Sequence, residues 1–183
     1  MSDGKKTNWI ILLIGAIAAF PLVGSYVLYQ FWEPDEFVNY GELFGPVSAE
    51  QGPVPVGFDT VRGKWAFLMV DSGRCDAYCQ RKLYIMRQVR LTQGEDMQRV
   101  ERVWLIDDAH PPAAQLFVDY KGMQVLAAGT SDLPARLSAE GRARDHIYLV
   151  DPLGNVMMRY PRDPDPSLIK KDLRRLLKSS GVG

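Results

Sequence analysis

The longest apolar stretch of the chain lies near its N-terminus, where residues 9–32 carry no charged side chain. A helix needs about 20 consecutive apolar residues to cross the hydrocarbon core of a bilayer, and this stretch is long enough. Aromatic residues stand at both of its ends, as in membrane–water interfaces: Trp9, Tyr26, Tyr29, Phe31 and Trp32. The pattern predicts a transmembrane helix at residues 9–32, preceded by a short segment at residues 1–8.

The charges on the two sides of this stretch differ in sign. Lys5 and Lys6 precede it, and Glu33, Asp35 and Glu36 follow it. Positively charged flanks stay in the cytoplasm, so we expect the N-terminal segment there and everything after the helix on the outer side. This predicts a single-pass protein of a bacterial inner membrane with its C-terminal domain in the periplasm.

A cleaved signal peptide is the alternative interpretation of the same stretch. Residues 16–18 (Ala-Ile-Ala) resemble a cleavage site with small residues. The apolar run continues to Trp32, which is too far for the apolar region of a signal peptide. An uncleaved anchor is therefore the favoured interpretation.

Beyond the anchor, the hydrophobic pattern changes its period from segment to segment. Residues 33–58 carry prolines and glycines without a sustained period, which predicts a spacer that lays a few extended pieces against a domain at residues 59–183. Short apolar runs predict strands at residues 64–70, 100–106, 123–127, 147–150 and 156–160. Stripes of helical period predict helices at residues 76–91 and from 165 onward, and a short helix is expected at residues 113–120. This order predicts an α/β sandwich with a mixed central sheet.

The last predicted helix has one apolar and one basic face. The apolar face consists of Leu168, Ile169, Leu173, Leu176 and Leu177. We expect this face to pack on the sheet; contact between the helix and anionic lipid is the alternative.

Charge excludes one class of partner. The chain has 22 basic and 22 acidic residues, so its formal net charge is zero. A nucleic-acid partner is therefore not expected.

The chain has two cysteines, Cys75 and Cys79, at the start of a predicted helix. A spacing of four places them one above the other on nearly the same helical face. Cys79 begins the apolar stripe and should be the more buried, and Cys75 should be the more exposed. Free helix N–H groups and Arg74 would stabilise a thiolate at Cys75. Because thiolates attack disulfides and bind soft metals, the pair is predicted to be redox-active or metal-binding.

Two structural roles are the alternatives for this pair. A disulfide that closes so short a loop constrains the unfolded chain very little, so a purely stabilising bridge is disfavoured. Two buried thiols acting as small apolar side chains would need no pairing at all. In an oxidising compartment, a lone and closely spaced pair favours the functional interpretation.

A strand, a short loop, CxxxC at a helix start and the hairpin sequence HIYLVDPLG at residues 146–154 together resemble the Sco/SenC family. The resemblance covers about residues 57–178, and residues 83–90 and 147–161 resemble a divergent proteobacterial branch. Sco/SenC proteins are membrane-anchored, thioredoxin-fold proteins that help install copper in cytochrome c oxidase. The resemblance therefore implies a thioredoxin-like fold here.

The copper ligands of that family are two cysteines and one histidine just before the hairpin. The resemblance implies Cys75, Cys79 and His146 as the corresponding ligands here. Two positions depart from the family pattern: Gln80 stands where proline is usual, and His146 lies a few residues closer to the strand. An odd displacement along an extended segment turns a side chain to the opposite face. The alternative role for His146 is a loop or strand-edge histidine with a local hydrogen bond.

Three more polar residues flank the predicted site. His110 follows a strand whose end should open on the same rim as the cysteines, so it is an alternative third ligand or a solvated loop residue. Asp71 and Asp76 flank the cysteine loop. Either could act as a base or cap the helix, and capping is the favoured interpretation.

The function implied by the resemblance is an accessory factor for cytochrome c oxidase assembly. Its cysteine pair would bind copper or reduce the disulfide of the subunit that later receives copper, and its partners would be that subunit or another assembly factor. A general thiol–disulfide oxidoreductase without metal and a non-redox docking scaffold are the two alternatives.

Overall fold

A computed structural model gives the fold of the chain and describes residues 3–31, 39–48, 55, 57–138 and 142–181. The chain divides into two compact units, Met1–Val38 and Asn39–Gly183. Half of the predicted spacer at residues 33–58 lies outside the described residues.

The N-terminal unit contains helix α1, Asp3–Phe31, which has 29 residues and includes Pro21. Trp32, the last residue of the predicted transmembrane segment, lies outside the described residues. Within the described part of the chain, no helix has both the length and the apolar character needed to cross a membrane.

The C-terminal unit contains a six-stranded mixed sheet in the order β1–β6–β5–β2–β3–β4. Its strands are β1 (Glu42–Ser48), β2 (Trp65–Asp71), β3 (Val100–Ile106), β4 (Gln124–Ala127), β5 (Ile147–Val150) and β6 (Asn155–Arg159). The pairs β2–β3 and β3–β4 are parallel, and the other neighbours are antiparallel. The mixed sheet with flanking helices confirms the predicted α/β sandwich.

The helices of this unit are α2 (Ala77–Leu91), α3 (Ala114–Asp119), α4 (Leu133–Leu137) and α5 (Pro166–Ser179). Three short 3-10 helices accompany them at Phe58–Val61, Gly94–Arg99 and Ala143–Asp145. Pro166 occupies the first turn of α5, and the Asp165 side chain accepts a hydrogen bond from the Ser167 N–H. The helix therefore begins where the sequence places an acidic cap followed by proline.

Apolar side chains pack in two layers, one on each face of the sheet. Along β2, Phe67 and Met69 belong to the layer that includes both cysteines, whereas Leu68 and Val70 belong to the other layer. This alternation is the period of two that a strand imposes. Buried residues of α2 and α5 complete the first layer, and those of α4 join the second.

The predicted packing of the last helix is confirmed. Ile169, Leu173 and Leu177 of α5 are buried in the layer that contains the cysteines. Lys171 and Arg174 lie on the exposed side of the same helix.

One strand and one α-helix were not among the predicted strands and helices, although the spacer was expected to lay a few extended pieces against the domain. Strand β1 lies inside the segment predicted as a spacer, and it pairs with β6 at the edge of the sheet. Just before it, the amides of Tyr40 and Gly41 donate to the buried carboxylate of Asp172 at 3.1 and 2.9 Å. Helix α4 is the second such element.

Candidate thiol–disulfide site

The two cysteines are joined by a disulfide at the start of α2. The Cys75–Cys79 bond has an S–S distance of 2.05 Å, and the Cα atoms lie 5.0 Å apart. Cys75 precedes the helix and has φ of 37°, in the left-handed region that L residues seldom adopt. Cys79 lies in the first turn, where the Asp76 carboxylate accepts a hydrogen bond from its N–H at 2.9 Å. Asp76 is thus the N-cap, as predicted, and it defines where the helix begins.

The expected difference in exposure between the two cysteines is absent in the disulfide form. Cys75 is 3% exposed and Cys79 is 0% exposed, and both belong to the same apolar layer. The prediction placed Cys75 on the helix, one turn nearer the solvent. Instead, Cys75 lies in the preceding loop, and its bond to Cys79 holds it in the apolar layer.

A buried lysine lies close to the disulfide in sequence and was not predicted as part of the site. Lys82 is 1% exposed, and its Nζ lies 2.7 Å from Oδ2 of Asp71 at the end of β2. The same ammonium group donates to the carbonyls of Val70, at 3.3 Å, and Arg144. Burial lowers the pKa of Lys82, and the carboxylate of Asp71 opposes this shift. Asp71 therefore pairs with Lys82 and does not cap the helix.

This lysine could have been suspected from the sequence. Lys82 follows Cys79 by three positions and precedes Leu83, so it borders the apolar stripe of the predicted helix. Asp71 closes the strand just before the cysteine loop. A lysine at the border of a buried stripe predicts a carboxylate nearby, because a buried ammonium group is rarely left unpaired.

Tyr78 connects the first turn of α2 to the segment before β5. Its hydroxyl donates to the carbonyl of Asp145 at 2.8 Å and to that of Arg162. Burial raises the pKa of Tyr78 to about 12, so the phenol stays protonated and remains a donor at neutral pH.

The loop after β3 contacts the cysteine loop directly. Oδ1 of Asp108 accepts hydrogen bonds from the N–H groups of Gly73 and His110, both at 3.1 Å. Its Oδ2 lies 3.2 Å from Nδ1 of His110. Hydrogen bonds from the Ser72 hydroxyl, from Gly73 and from His110 hold the pKa of Asp108 well below its usual range.

Gly73 is required at this contact. A Cβ atom at position 73 would lie 1.7 Å from the carbonyl oxygen of His110, which leaves no room for any other residue. The His110 backbone thus lies against the cysteine loop, as expected for a residue on the same rim.

His146 lies elsewhere. It is extended, with φ of −126° and ψ of 158°, and its Nδ1 lies 2.8 Å from the carbonyl oxygen of Tyr160. Along β5, Ile147 and Leu149 belong to the layer of the cysteines and Tyr148 to the opposite layer. His146 lies two positions before Tyr148, so alternation along the extended segment directs both side chains to the same face, and their rings make an edge contact with centroids 6.1 Å apart.

The predicted copper ligands are therefore not assembled into one set. The two sulfur atoms are bonded to each other, and the imidazole of His146 bonds a carbonyl of the neighbouring segment. Among the described residues, no group of three His, Cys, Asp or Glu side chains is close enough to hold a metal ion. In this disulfide form the residues do not fit a three-coordinate copper site.

Solved structures with a similar fold include two Sco1 proteins and one thiol–disulfide protein. Apo Sco1 from Thermus thermophilus superposes with a TM-score of 0.57 and 15% identity, covering 76% of this chain and 97% of that chain. Yeast Sco1 with copper bound gives 0.53 and 15%, covering 78% and 94%. A Chlorobium tepidum protein assigned as the thiol:disulfide interchange protein DsbE gives 0.50 and 15%, covering 75% and 94%. At these identities the likeness establishes the thioredoxin-like fold.

Sequence comparison identifies the family. No curated protein matches the chain significantly. A family model described as "Transmembrane-like, thioredoxin-like, C-terminal domain" matches residues 65–180, which include the cysteine pair and all the strands except β1. The chain therefore belongs to this transmembrane-like, thioredoxin-like family.

Proposed function

We propose that this chain is a membrane-tethered thiol–disulfide protein of cytochrome c oxidase assembly, which reduces the disulfide of the subunit that later receives copper. The observation that carries the proposal is the Cys75–Cys79 disulfide at the N-terminus of α2 in a thioredoxin-like fold. The structural likeness to Sco proteins supports the assembly context.

The proposed reaction is a two-electron exchange. In the reduced protein, the thiolate of Cys75 attacks one sulfur of the client disulfide, and a mixed disulfide forms while one client thiolate leaves. The thiolate of Cys79 then attacks Cys75 Sγ and releases the second client thiolate. The client gains two electrons, and the Cys75–Cys79 pair becomes the disulfide that the structure contains. A dithiol reductant of the same compartment must return the pair to the reduced state.

Three features of the loop support this assignment of roles. Cys75 lies in the loop before the helix, whereas Cys79 lies in its first turn and is fully buried. The N-terminal end of α2 carries partial positive charge, and Arg74, the residue before Cys75, adds a full charge to the same loop. Both favour a thiolate at Cys75.

A second candidate function is binding of Cu(I) by the reduced pair. Two thiolates held one helical turn apart are soft ligands, and soft ligands favour Cu(I). The likeness to copper-bound yeast Sco1 favours this candidate. His146 bonds the Tyr160 carbonyl, so we expect copper binding to depend on Cys75 and Cys79 and little on His146.

The tether is part of the same proposal. The uncharged run at residues 9–32 and the change of charge sign across it support an inner-membrane anchor with a periplasmic domain. A reporter enzyme that is active only in the periplasm, fused after Gly183, should be active. Activity of only a cytoplasmic reporter at the same position would overturn the orientation.

The exchange reaction is tested with the full chain in nonionic detergent and a synthetic peptide that contains one intramolecular disulfide. The reduced wild-type protein should reduce one equivalent of peptide. Cys79→Ser should accumulate a mixed disulfide with the peptide at Cys75, whereas Cys75→Ser should form none. Arg174→Gln, on the exposed side of α5, serves as the matched control.

The alternatives give different results in this assay. If the reduced wild type leaves the peptide oxidised but takes up one equivalent of Cu(I) anaerobically, copper binding is the function of the pair. If it does neither, and Cys75→Ser supports oxidase assembly in cells as well as wild type, the chain acts as a non-redox docking scaffold.

A further inference from the structure

A buried arginine lies on the cysteine-bearing face of the sheet, away from the redox loop. Arg102 is only 4% exposed. It stands beside Phe67 in the parallel register of β2 and β3, and Phe67 belongs to the layer covered by α2. Strand register therefore places Arg102 on the face of the sheet that α2 covers.

The hydrogen bonds of this guanidinium are incomplete. Its Nη2 donates to the carbonyl of Lys121 at 2.9 Å. Within the described residues, neither Nε nor Nη1 of Arg102 has a hydrogen-bond partner, although both atoms are buried. An unpartnered buried polar group costs free energy, and a charged one costs more, so native proteins seldom leave one in this state.

The charged neighbours of Arg102 add to its uncompensated positive charge. Two other arginines act on it electrostatically, Arg87 and Arg90, both on α2. Burial lowers the pKa of Arg102, and these two like charges lower it further. Arg90 is itself held in place, because its Nε donates to the carbonyl of Val100 at 2.6 Å.

One carboxylate, that of Glu101, opposes the lowering of the Arg102 pKa, but it lies on the other face of the sheet. Glu101 precedes Arg102 on β3, and its register partner Ala66 belongs to the opposite layer of the core. Its carboxylate oxygen lies 2.7 Å from Nζ of Lys64. Strand alternation therefore places Glu101 on the other face of the sheet, engaged with its own cation.

We infer that Arg102, Arg87 and Arg90 form a binding site for a phosphate-type oxyanion. A guanidinium presents its donors in a planar fork that matches phosphate oxygens, and each such bond to an ionised group is stronger than a neutral one. A phosphate also has enough acceptor oxygens to serve three donors at once. Arg87 is exposed and Arg90 is half-buried, so these two arginines form the solvent side of the proposed site and Arg102 forms its buried side.

Two sources could supply this oxyanion: inorganic phosphate and the headgroup of an anionic phospholipid. The chemistry recognised is the same, and the experiment distinguishes them. The site lies more than two helical turns from Cys79, and it does not depend on the proposed exchange reaction.

The first measurement is the thermal midpoint of the full chain in nonionic detergent, in chloride and in phosphate at equal ionic strength. We expect phosphate to raise the midpoint of the wild type saturably, by a few degrees. A second arm adds phosphatidylglycerol or phosphatidylcholine to the micelles in chloride buffer. A rise with phosphatidylglycerol alone would identify a headgroup as the source, and a rise with phosphate would identify the free ion.

Arg102→Met is the principal variant, because methionine fills similar space without charge. We expect it to abolish the response to phosphate and to phosphatidylglycerol. In chloride its midpoint should not fall below that of wild type, since an unpaired buried charge has been removed. Arg87→Gln, on the exposed rim, should weaken the apparent affinity about tenfold. Arg174→Gln is the matched control and should respond as wild type does.

A direct readout covers the case in which Arg102→Met fails to fold. In the wild type, the Arg102 Nε–H resonance should shift with phosphate and not with chloride, and Arg87→Gln should weaken that shift. The proposal is overturned if Arg102→Met keeps the wild-type response. It is also overturned if neither phosphate nor phosphatidylglycerol changes the midpoint or the Arg102 resonance.

Discussion

Near the N-terminal end of α2, the buried ammonium group of Lys82 lies 2.7 Å from a carboxylate oxygen of Asp71. Toward the other end of the same helix, the buried guanidinium of Arg102 has Arg87 and Arg90 as charged neighbours, and within the described residues two of its nitrogen atoms are unpartnered. The two cations belong to the same face of one sheet. One has its counter-charge within the fold, and the other needs an anion from elsewhere.

This difference between the two cations distinguishes a site that the chain holds in place by itself from a site that binds a ligand. Around the cysteines, the cap, the Asp71–Lys82 pair and the Asp108 contacts are all made by the chain itself, so the loop is held before any client arrives. Such preorganisation suits a site whose atoms must meet in a defined geometry. At Arg102, by contrast, two nitrogen atoms lack hydrogen-bond partners among the described residues, as expected of a site in which a bound ligand supplies the missing acceptors.

The largest effect should come from breaking the paired cation. Lys82→Met leaves the Asp71 carboxylate buried without its counter-charge, and we expect this to lower the free energy of unfolding by about 3–5 kcal/mol. Denaturant unfolding of the reduced and oxidised full chain measures it. The double variant Lys82→Met/Asp71→Leu should recover most of the loss. If Lys82→Met is as stable as wild type, Lys82 and Arg102 do not differ in their dependence on a counter-charge within the fold.

The contact between the cysteine loop and the His110 loop should be the next most sensitive. Gly73→Ala forces a Cβ atom against the His110 carbonyl, since the two would lie 1.7 Å apart. Because backbone and not a flexible side chain must move, we expect a loss of about 1–3 kcal/mol in unfolding free energy. Gly181→Ala, where no atom lies within 4 Å, is the matched control. Equal stabilities of the two variants would contradict the close approach.

The helix cap should have a smaller effect. Asp76→Ala removes the acceptor for the Cys79 N–H and should cost about 1 kcal/mol. Asp76→Asn keeps a side-chain oxygen at the cap and should retain most of the stability. Denaturant unfolding of the three proteins compares them. If asparagine proves as harmful as alanine, the charge of Asp76 matters more than its hydrogen bond.

The sequence predicted the parts of the fold that local patterns determine. Helix α2 was predicted from residues 76–91 and is observed at Ala77–Leu91, because the apolar stripe from Cys79 to Val89 has a helical period and Asp76 caps it. The hairpin of β5 and β6 has a turn that contains a glycine, and it forms where predicted. The position of β1 beside β6 could not be predicted, because its partner lies more than a hundred residues later and Pro46 interrupts its pattern.

For the site too, the sequence predicted what local spacing determines and not what depends on packing between distant segments. Spacing predicted correctly that Cys75 and Cys79 are close, whereas it does not reveal that Cys75 lies in the preceding loop with a left-handed backbone and is buried through its bond to Cys79. The pairing of Lys82 with Asp71 was not predicted, because it depends on how α2 packs over β2. For His146, the displacement relative to the Sco/SenC pattern already raised the question of its face, and strand alternation gives it the parity of Tyr148.

The smallest predicted effect is a dependence of stability on pH that arises from Asp108. Hydrogen bonds from Ser72, Gly73 and His110 lower the pKa of this carboxyl in the folded protein relative to the unfolded chain. A depressed folded-state pKa contributes stability that is fully present above the unfolded value, about 3.9, and is lost as pH falls below it. In Asp108→Asn this contribution is absent at every pH. Denaturant unfolding should therefore give wild type a larger free energy of unfolding than Asp108→Asn at pH 7. At pH 3 the difference between the two free energies should be smaller. A gap that is the same at both pH values would show that the loop contact depends on the shape of the side chain and not on its charge.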